Sequence, residues 1–275
     1  MASRDPPVPS LPLQDRVLRR DDRGVLTTGP VIRASLSGMD DLAAMLSADR
    51  LVDLTQPLGP ATTLWPGSTP FVATTLAEYD TGPGYLRELQ VPEHAGTHLD
   101  APAHFSPHGA RVDAIPIATL VRPAVKLDVR PWVNGDPATL VDAAMISELE
   151  DRDGVIEAGT AVLVHTGWDA FWDDPVRYMG DPGPAFPGLA KDAAELLVER
   201  GVFGLGIDTL GVDPGSSTDY PVHLTTLPAG MWHLEGLIEL GQVPARGAWL
   251  VAAPLKLVEG SGTPARVFAI LPSDA

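Results

Sequence analysis

Cysteine is absent from this 275-residue chain. That excludes disulfides and thiolate ligands, so any metal must be held by histidine and carboxylate. It also fits a cytoplasmic protein. Long apolar runs are absent too, and no stretch approaches the roughly 20 residues a membrane span needs. Basic residues are scarce, 19 Lys and Arg against 36 Asp and Glu, which leaves a formal charge of −17. A surface of that sign argues against nucleic acid and anionic membrane as partners and says little else. There is no GxSxG nucleophile elbow and no HExxH helix, so those two hydrolase classes drop out. Gly204-Leu-Gly-Ile-Asp-Thr209 is not a GxGxxG loop, so a dinucleotide site is rejected.

What is present reads as one α/β domain. Residues 1–35 are charged and Pro-rich, without the apolar core of a signal peptide. They are expected to form a flexible N-terminal arm, with 36–275 as a single domain. Met39 to Asp49 has helical spacing. Strands are expected at Leu51–Leu58, Phe71–Tyr79, Tyr85–Val91 and within Ile115–Val129. Asp142 to Glu150 reads as a helix. The near-continuous apolar runs Gly159–Thr166 and Val202–Asp208 read as strands covered on both faces. Gly204 and Gly206 in the second run suit close helix packing. Leu189 to Arg200 is an amphipathic helix stopped by Gly201. Strands at Ala248–Ala252, Lys256–Val258 and Arg266–Leu271 close the chain. The loop from Trp168 to Pro187 is a candidate lid or specificity loop.

The chemistry concentrates in His94-Ala-Gly-Thr-His-Leu-Asp-Ala-Pro-Ala-His-Phe105. Three of the seven histidines and an aspartate fall within residues 94–104. His94, His98, Asp100 and His104 sit at even offsets, so an extended segment would point all four to one face. Imidazoles and a carboxylate converging on one point make a zinc or manganese site. His94, His98 and Asp100 can hold one ion, and Asp100 can bridge to a second. His223 and Glu235 are the best further donors, with His233 a competitor two residues from Glu235. His108 reads as a solvated loop residue and His165 as a core histidine. A divalent ion acidifies water toward pH 7 and polarises a carbonyl. His104, left over as a general acid/base, completes the set for hydrolysis of an amide, lactam or lactone. Trp65 in the Trp65-Pro-Gly turn is either core or the wall of a substrate pocket.

This stretch resembles the HxGTHxDxPxHF signature of the metal-dependent cyclase family, which includes kynurenine formamidases and isatin hydrolases. The likeness runs from about Leu51 to Leu271 and takes in the Trp65-Pro-Gly turn and the segment His223 through Glu235. It implies a swivelling β/α fold, a mixed β-sheet partly curled into a barrel with flanking helices. It implies His94, His98 and Asp100 as ligands of a first ion, and Asp100, His223 and Glu235 around a second. One or two ions per chain, Zn or Mn, fit that set. His104 is implied as general acid/base and Trp65 as an aromatic wall; in the mechanism expected here Trp168 or Trp172 joins Trp65 in packing the substrate ring. His233 becomes a pocket or core residue. The family implies a homodimer or homotetramer. Two alternatives use the same residues: a cyclase or dehydratase, and a non-catalytic metal- or ligand-binding protein. Ser68, where many formamidases carry Asp, and Gly236 after Glu235 bear on substrate choice.

Overall fold

A computed structural model describes residues 17–20, 26–29 and 43–273. It contains two compact units, 1–44 and 45–275. In the first, β1 (Val17–Arg20) and β2 (Leu26–Gly29) pair antiparallel. The rest of the expected arm lies outside the described residues. So does the start of the helix expected at Met39–Asp49; its described part is helical at 43–45 and ends in a 3₁₀ turn, Ala48–Arg50.

The second unit carries β3 (Leu51–Asp53), β4 (Val72–Ala77), β5 (Leu86–Gln90), β6 (His98–Asp100), β7 (Val121–Asp128), β8 (Leu140–Val141), β9 (Ala161–His165), β10 (Gly188–Leu189), β11 (Gly204–Ile207), β12 (Trp232–Glu235), β13 (Trp249–Pro254) and β14 (Gly262–Ile270). Seven of them form a ring in the order β13-β7-β9-β11-β12-β6-β14, which β14 closes by pairing with β13. The run β7, β9, β11, β12 is parallel, and β6, β13 and β14 are antiparallel to their neighbours. This is the mixed sheet curled into a barrel that the sequence implied.

Alternation along the strands sorts the core into two layers. Ala161, Leu163, Leu99 and Leu234 join residues of β13 and β14 inside the barrel. Val162, Val164, Leu205 and Ile207 face outward and are covered by the helices Ala143–Asp153 and Lys191–Glu199. The first helix is capped by Asp142, whose Oδ1 accepts from Met145 N at 2.9 Å. The second ends before Gly201, at φ +69°.

Gly204 and Gly206 face the interior, not the helices. A Cβ at Gly204 would lie 2.2 Å from the Trp232 ring, and one at Gly206 2.7 Å from Leu163. The glycines make room for neighbouring side chains that fill the barrel, so Gly204→Ala should cost about 1–3 kcal/mol or more through overpacking.

Three other expectations are corrected. Only Leu51–Asp53 of the first expected strand is extended. Lys256–Val258 is an exposed loop turn, closed by Gly260 N donating to Leu257 O at 3.2 Å. The Trp168–Pro187 segment is not simply a loop. It folds into the 3₁₀ turn Trp168–Phe171 and the helix Pro175–Met179, and Trp168, Tyr178, Phe186 and Leu210 form a core of their own. No helix among the described residues is long and apolar enough to cross a membrane.

Candidate metal centre

The β6–β12 pair builds the centre. Its register sets Glu235 opposite His98 and His233 opposite Asp100. Directly opposed residues share a face, as do residues two apart on one strand. All four polar side chains therefore lie on one face, while Leu99 and Leu234 between them point into the barrel core. His223 is added from the short helix Pro221–Thr226.

The even-offset argument holds only for His98 and Asp100, which are in a strand. Gly96 breaks the extended path at φ +60°, and His104 sits in the 3₁₀ turn Pro102–His104. His94 and His104 reach the same place because the chain wraps around it, with their rings stacked at 4.0 Å between centroids.

The donors form a tight set. His98 Nε2 is 3.3 Å from Asp100 Oδ1 and 3.4 Å from Glu235 Oε2. His223 Nε2 is 3.4 Å from Asp100 Oδ2 and 3.4 Å from Glu235 Oε1. Tetrahedral ligands about 2.0–2.1 Å from a common centre stand roughly 3.3 Å apart, so the spacing fits an ion. Asp100 Oδ2 is buried with no hydrogen-bond partner, which costs about 1–3 kcal/mol if nothing satisfies it. Donor set, spacing and orphaned oxygen agree on a divalent cation. His94, Asp100 and His104 also bring one donor atom each within 4.8 Å of one another, so Asp100 is shared between two groups.

Outer contacts fix which ring nitrogen faces inward. His98 Nδ1 donates to Gly96 O at 2.9 Å. His223 Nδ1 pairs with Asp213 Oδ2 at 2.6 Å. Asp213 also accepts from the amides of Val222 and His223. Both rings thus turn Nε2 to the centre, as metal-binding histidines do. Thr97 Oγ1 donates to Gly236 O at 2.6 Å and accepts from Gln56 N at 2.8 Å, tying the two strand ends together. His94 Nδ1 lies 2.6 Å from Asp100 Oδ1, and its Nε2 meets Ser261, which donates to Glu93. Asp213, Thr97, Ser261 and Glu93 were not singled out from the sequence, because their contacts exist only once the fold is formed.

The electrostatics follow from burial against charge. Burial opposes a charge on His98, but Asp100 and Glu235 push it up to about 10. Burial also opposes a charge on His223, yet Asp100, Asp213 and Glu235 raise it well above the usual imidazole value. Burial and Asp100 push Glu235 up, but His223 and His98 hold it down to about 2. The same negative field favours a dication, which must displace the imidazole protons to bind. His104 is different: burial pushes it down to about 4, aided by His94 and His223. It is neutral at pH 7.

A cavity of about 350 Å³ opens beside these groups, walled by Trp65, Phe105, Leu210, Pro214 and Tyr220. Trp65 is held edge-on by Phe186, 6.3 Å between ring centroids. Trp168 and Trp172 do not line it. Trp168 instead spends its Nε1–H on Tyr178 O at 3.0 Å and stays in the core. His108 is exposed, as expected, and His165 is buried at the end of β9.

A closed mixed barrel with a buried histidine–carboxylate centre on its outer face defines a metal-binding α/β protein. The Cyclase family model, described as "Putative cyclase", matches residues 52–214, and the chain belongs to this family. An isatin hydrolase of Roseibium aggregatum is 32% identical over 260 residues, covering 87% of this chain and 98% of that protein. A kynurenine formamidase of Salinibacter ruber is 32% identical over 220 residues, covering 78% and 95%. The crystal structure of an isatin hydrolase bound to the product analogue thioisatinate matches with a TM-score of 0.81 at 30% identity, covering 87% of this chain and 100% of that one.

Proposed function

We propose that this chain is a metal-dependent hydrolase that opens an amide, lactam or lactone bond of a small aromatic carbonyl compound. One observation carries the reading: an unprotonated histidine, His104, stands beside a complete divalent-ion donor set on a cavity with aromatic walls. His94, His98, Asp100, His223 and Glu235 would hold the metal, with Zn or Mn suited to such N/O donors. When bound, the ion supplies acidification of water and Lewis-acid polarisation of a carbonyl. Trp65, Phe105 and Tyr220 hold the substrate ring. The imidazole of His104 accepts a proton from the attacking water and returns it to the leaving nitrogen or oxygen. Asp213 keeps His223 oriented throughout.

The relatives act on isatin, a neutral bicyclic lactam, and on a kynurenine formamide. Among the described residues, no Lys or Arg lines the cavity, so a substrate carboxylate would find no fixed cation. We therefore favour an uncharged ring amide. The test is hydrolysis of isatin and of N-formylkynurenine by chelated protein with Mn²⁺ or Zn²⁺ restored. Turnover of isatin that vanishes on chelation is expected; metal-independent turnover, or none with either compound, contradicts the proposal.

A homodimer or homotetramer is part of the same reading. The β4–β5 hairpin exposes Leu76, Tyr79, Tyr85, Leu86 and Leu89, and an isolated two-stranded hairpin is marginal in water. A second copy packed there would cover it, which light scattering would detect as a mass above that of the 29.0 kDa chain. A cytoplasmic location completes the proposal.

A further inference from the structure

His233 is the histidine of this centre to which the family resemblance gives no ligand role. It is fully buried and sits opposite Asp100 in the β6–β12 register. Its Nε2 is 2.6 Å from Thr226 Oγ1. That hydroxyl also donates to Val222 O at 2.8 Å. A hydroxyl has a single proton to give. With it committed to Val222, the proton in the 2.6 Å contact comes from His233 Nε2. A neutral imidazole protonated there carries a lone pair on Nδ1.

Nδ1 of His233 is buried without a hydrogen-bond partner, and so is Asp100 Oδ2, which it faces at 3.7 Å. That distance is beyond a hydrogen bond. Two lone pairs confronting each other in a dry interior repel, and a cation between them removes the conflict. Asp100, His223, His233 and Glu235 each bring one donor atom into a group whose members all lie within 4.8 Å.

We propose that His233 Nδ1 is a fourth ligand of the second ion, joining Asp100, His223 and Glu235. The inference rests on the reading of this site as a metal centre. Its consequence is a division of labour. Four protein donors close a site, as in structural zinc centres, while three leave a position open for chemistry. Asp100, His223, His233 and Glu235 would then tie β12 and the helix Pro221–Thr226 to β6, and an ion held by His94, His98 and Asp100 alone would keep a position open for chemistry.

The test uses the full chain labelled with nitrogen-15 histidine, stripped with chelator and reloaded with cadmium-113. Long-range proton–nitrogen correlation reports the protonation of each ring nitrogen, with His233 assigned from His233→Gln. The expected result is an unprotonated His233 Nδ1 that couples to cadmium-113. A protonated Nδ1, or coupling at His98 and His223 but not at His233, overturns the inference and leaves the metal centre standing. No coupling at any histidine overturns both. His233→Gln should also weaken the second ion by more than the roughly 10–100-fold that loss of an outer contact costs. Two ions held within about tenfold of wild-type affinity would count against a ligand role.

Discussion

His98, Asp100, His223 and Glu235 on β6, β12 and the Pro221–Thr226 helix invite comparison with His165, Asp169 and Asp208 at the ends of β9 and β11. Both groups join imidazole to carboxylate and lie largely out of water; Asp100, His223 and Glu235 of the first, and all three residues of the second, bring donor atoms within 4.8 Å of one another. They differ in where the lone pairs go. Asp208 accepts from the amides of Thr166, Gly167 and Trp168 at 2.8–3.1 Å and from the Thr166 hydroxyl at 2.7 Å. Its oxygens are spent on holding the turn after β9. His165 Nδ1 lacks a partner, but Asp208, the fully buried carboxylate of this group, has both oxygens engaged by the turn. In the first group only one amide, that of Val212, reaches an inner oxygen, Glu235 Oε1 at 2.9 Å; Asp213 takes the amides of Val222 and His223, the Nδ1 atoms of His98 and His223 are tied to Gly96 O and Asp213, and Asp100 Oδ2 accepts nothing. Residue types alone therefore do not make a metal centre; unspent lone pairs converging on one point do.

The comparison can be broken from either side. Asp100→Ala, which removes the carboxylate shared by both donor groups, should abolish bound metal and turnover together. Elemental analysis showing full metal retention would remove Asp100 from the centre. His104→Ala should lower turnover by about 10²–10⁴-fold with metal content intact; an active variant sinks its assignment as acid/base, and loss of an ion would make it a ligand instead. Asp208→Ala should act in the opposite manner. It removes the acceptor shared by the amides of Thr166, Gly167 and Trp168, so denaturant unfolding should show a loss of about 3 kcal/mol or more, while the folded fraction keeps its metal. A smaller effect concerns protons. With His98 raised to about 10 and His223 raised well above its usual value, both are protonated at pH 7 in metal-free protein, so ion binding displaces them. Calorimetry in buffers of different ionisation enthalpy should report release of up to about two protons per chain, and uptake or no exchange would contradict the assignment.

Much of this was legible in the chain because it is local. The apolar runs around Val162–Val164 and Leu205–Ile207 declared buried strands, and the helix Lys191–Glu199 declared its stop at Gly201. The motif at residues 94–105 showed which side chains come together, although not how: one short strand, a left-handed glycine and a 3₁₀ turn gather them, rather than one extended face. What stayed hidden depends on pairing between distant segments. Gly204 is small because of Trp232, its register partner on the neighbouring strand β12. Trp168 is spent on Tyr178 rather than on a substrate. Asp213 matters because helix Pro221–Thr226 folds back onto it. His233 gains significance only when β12 aligns it with Asp100 and Thr226 fixes its tautomer.

The most direct measurement is a crystal of the protein loaded with Zn²⁺ or Mn²⁺, with anomalous scattering recorded at the metal edge. The account predicts density among His98, Asp100, His223 and Glu235 and none among His165, Asp169 and Asp208. An ion in the second group, or no ion in the first, would contradict it.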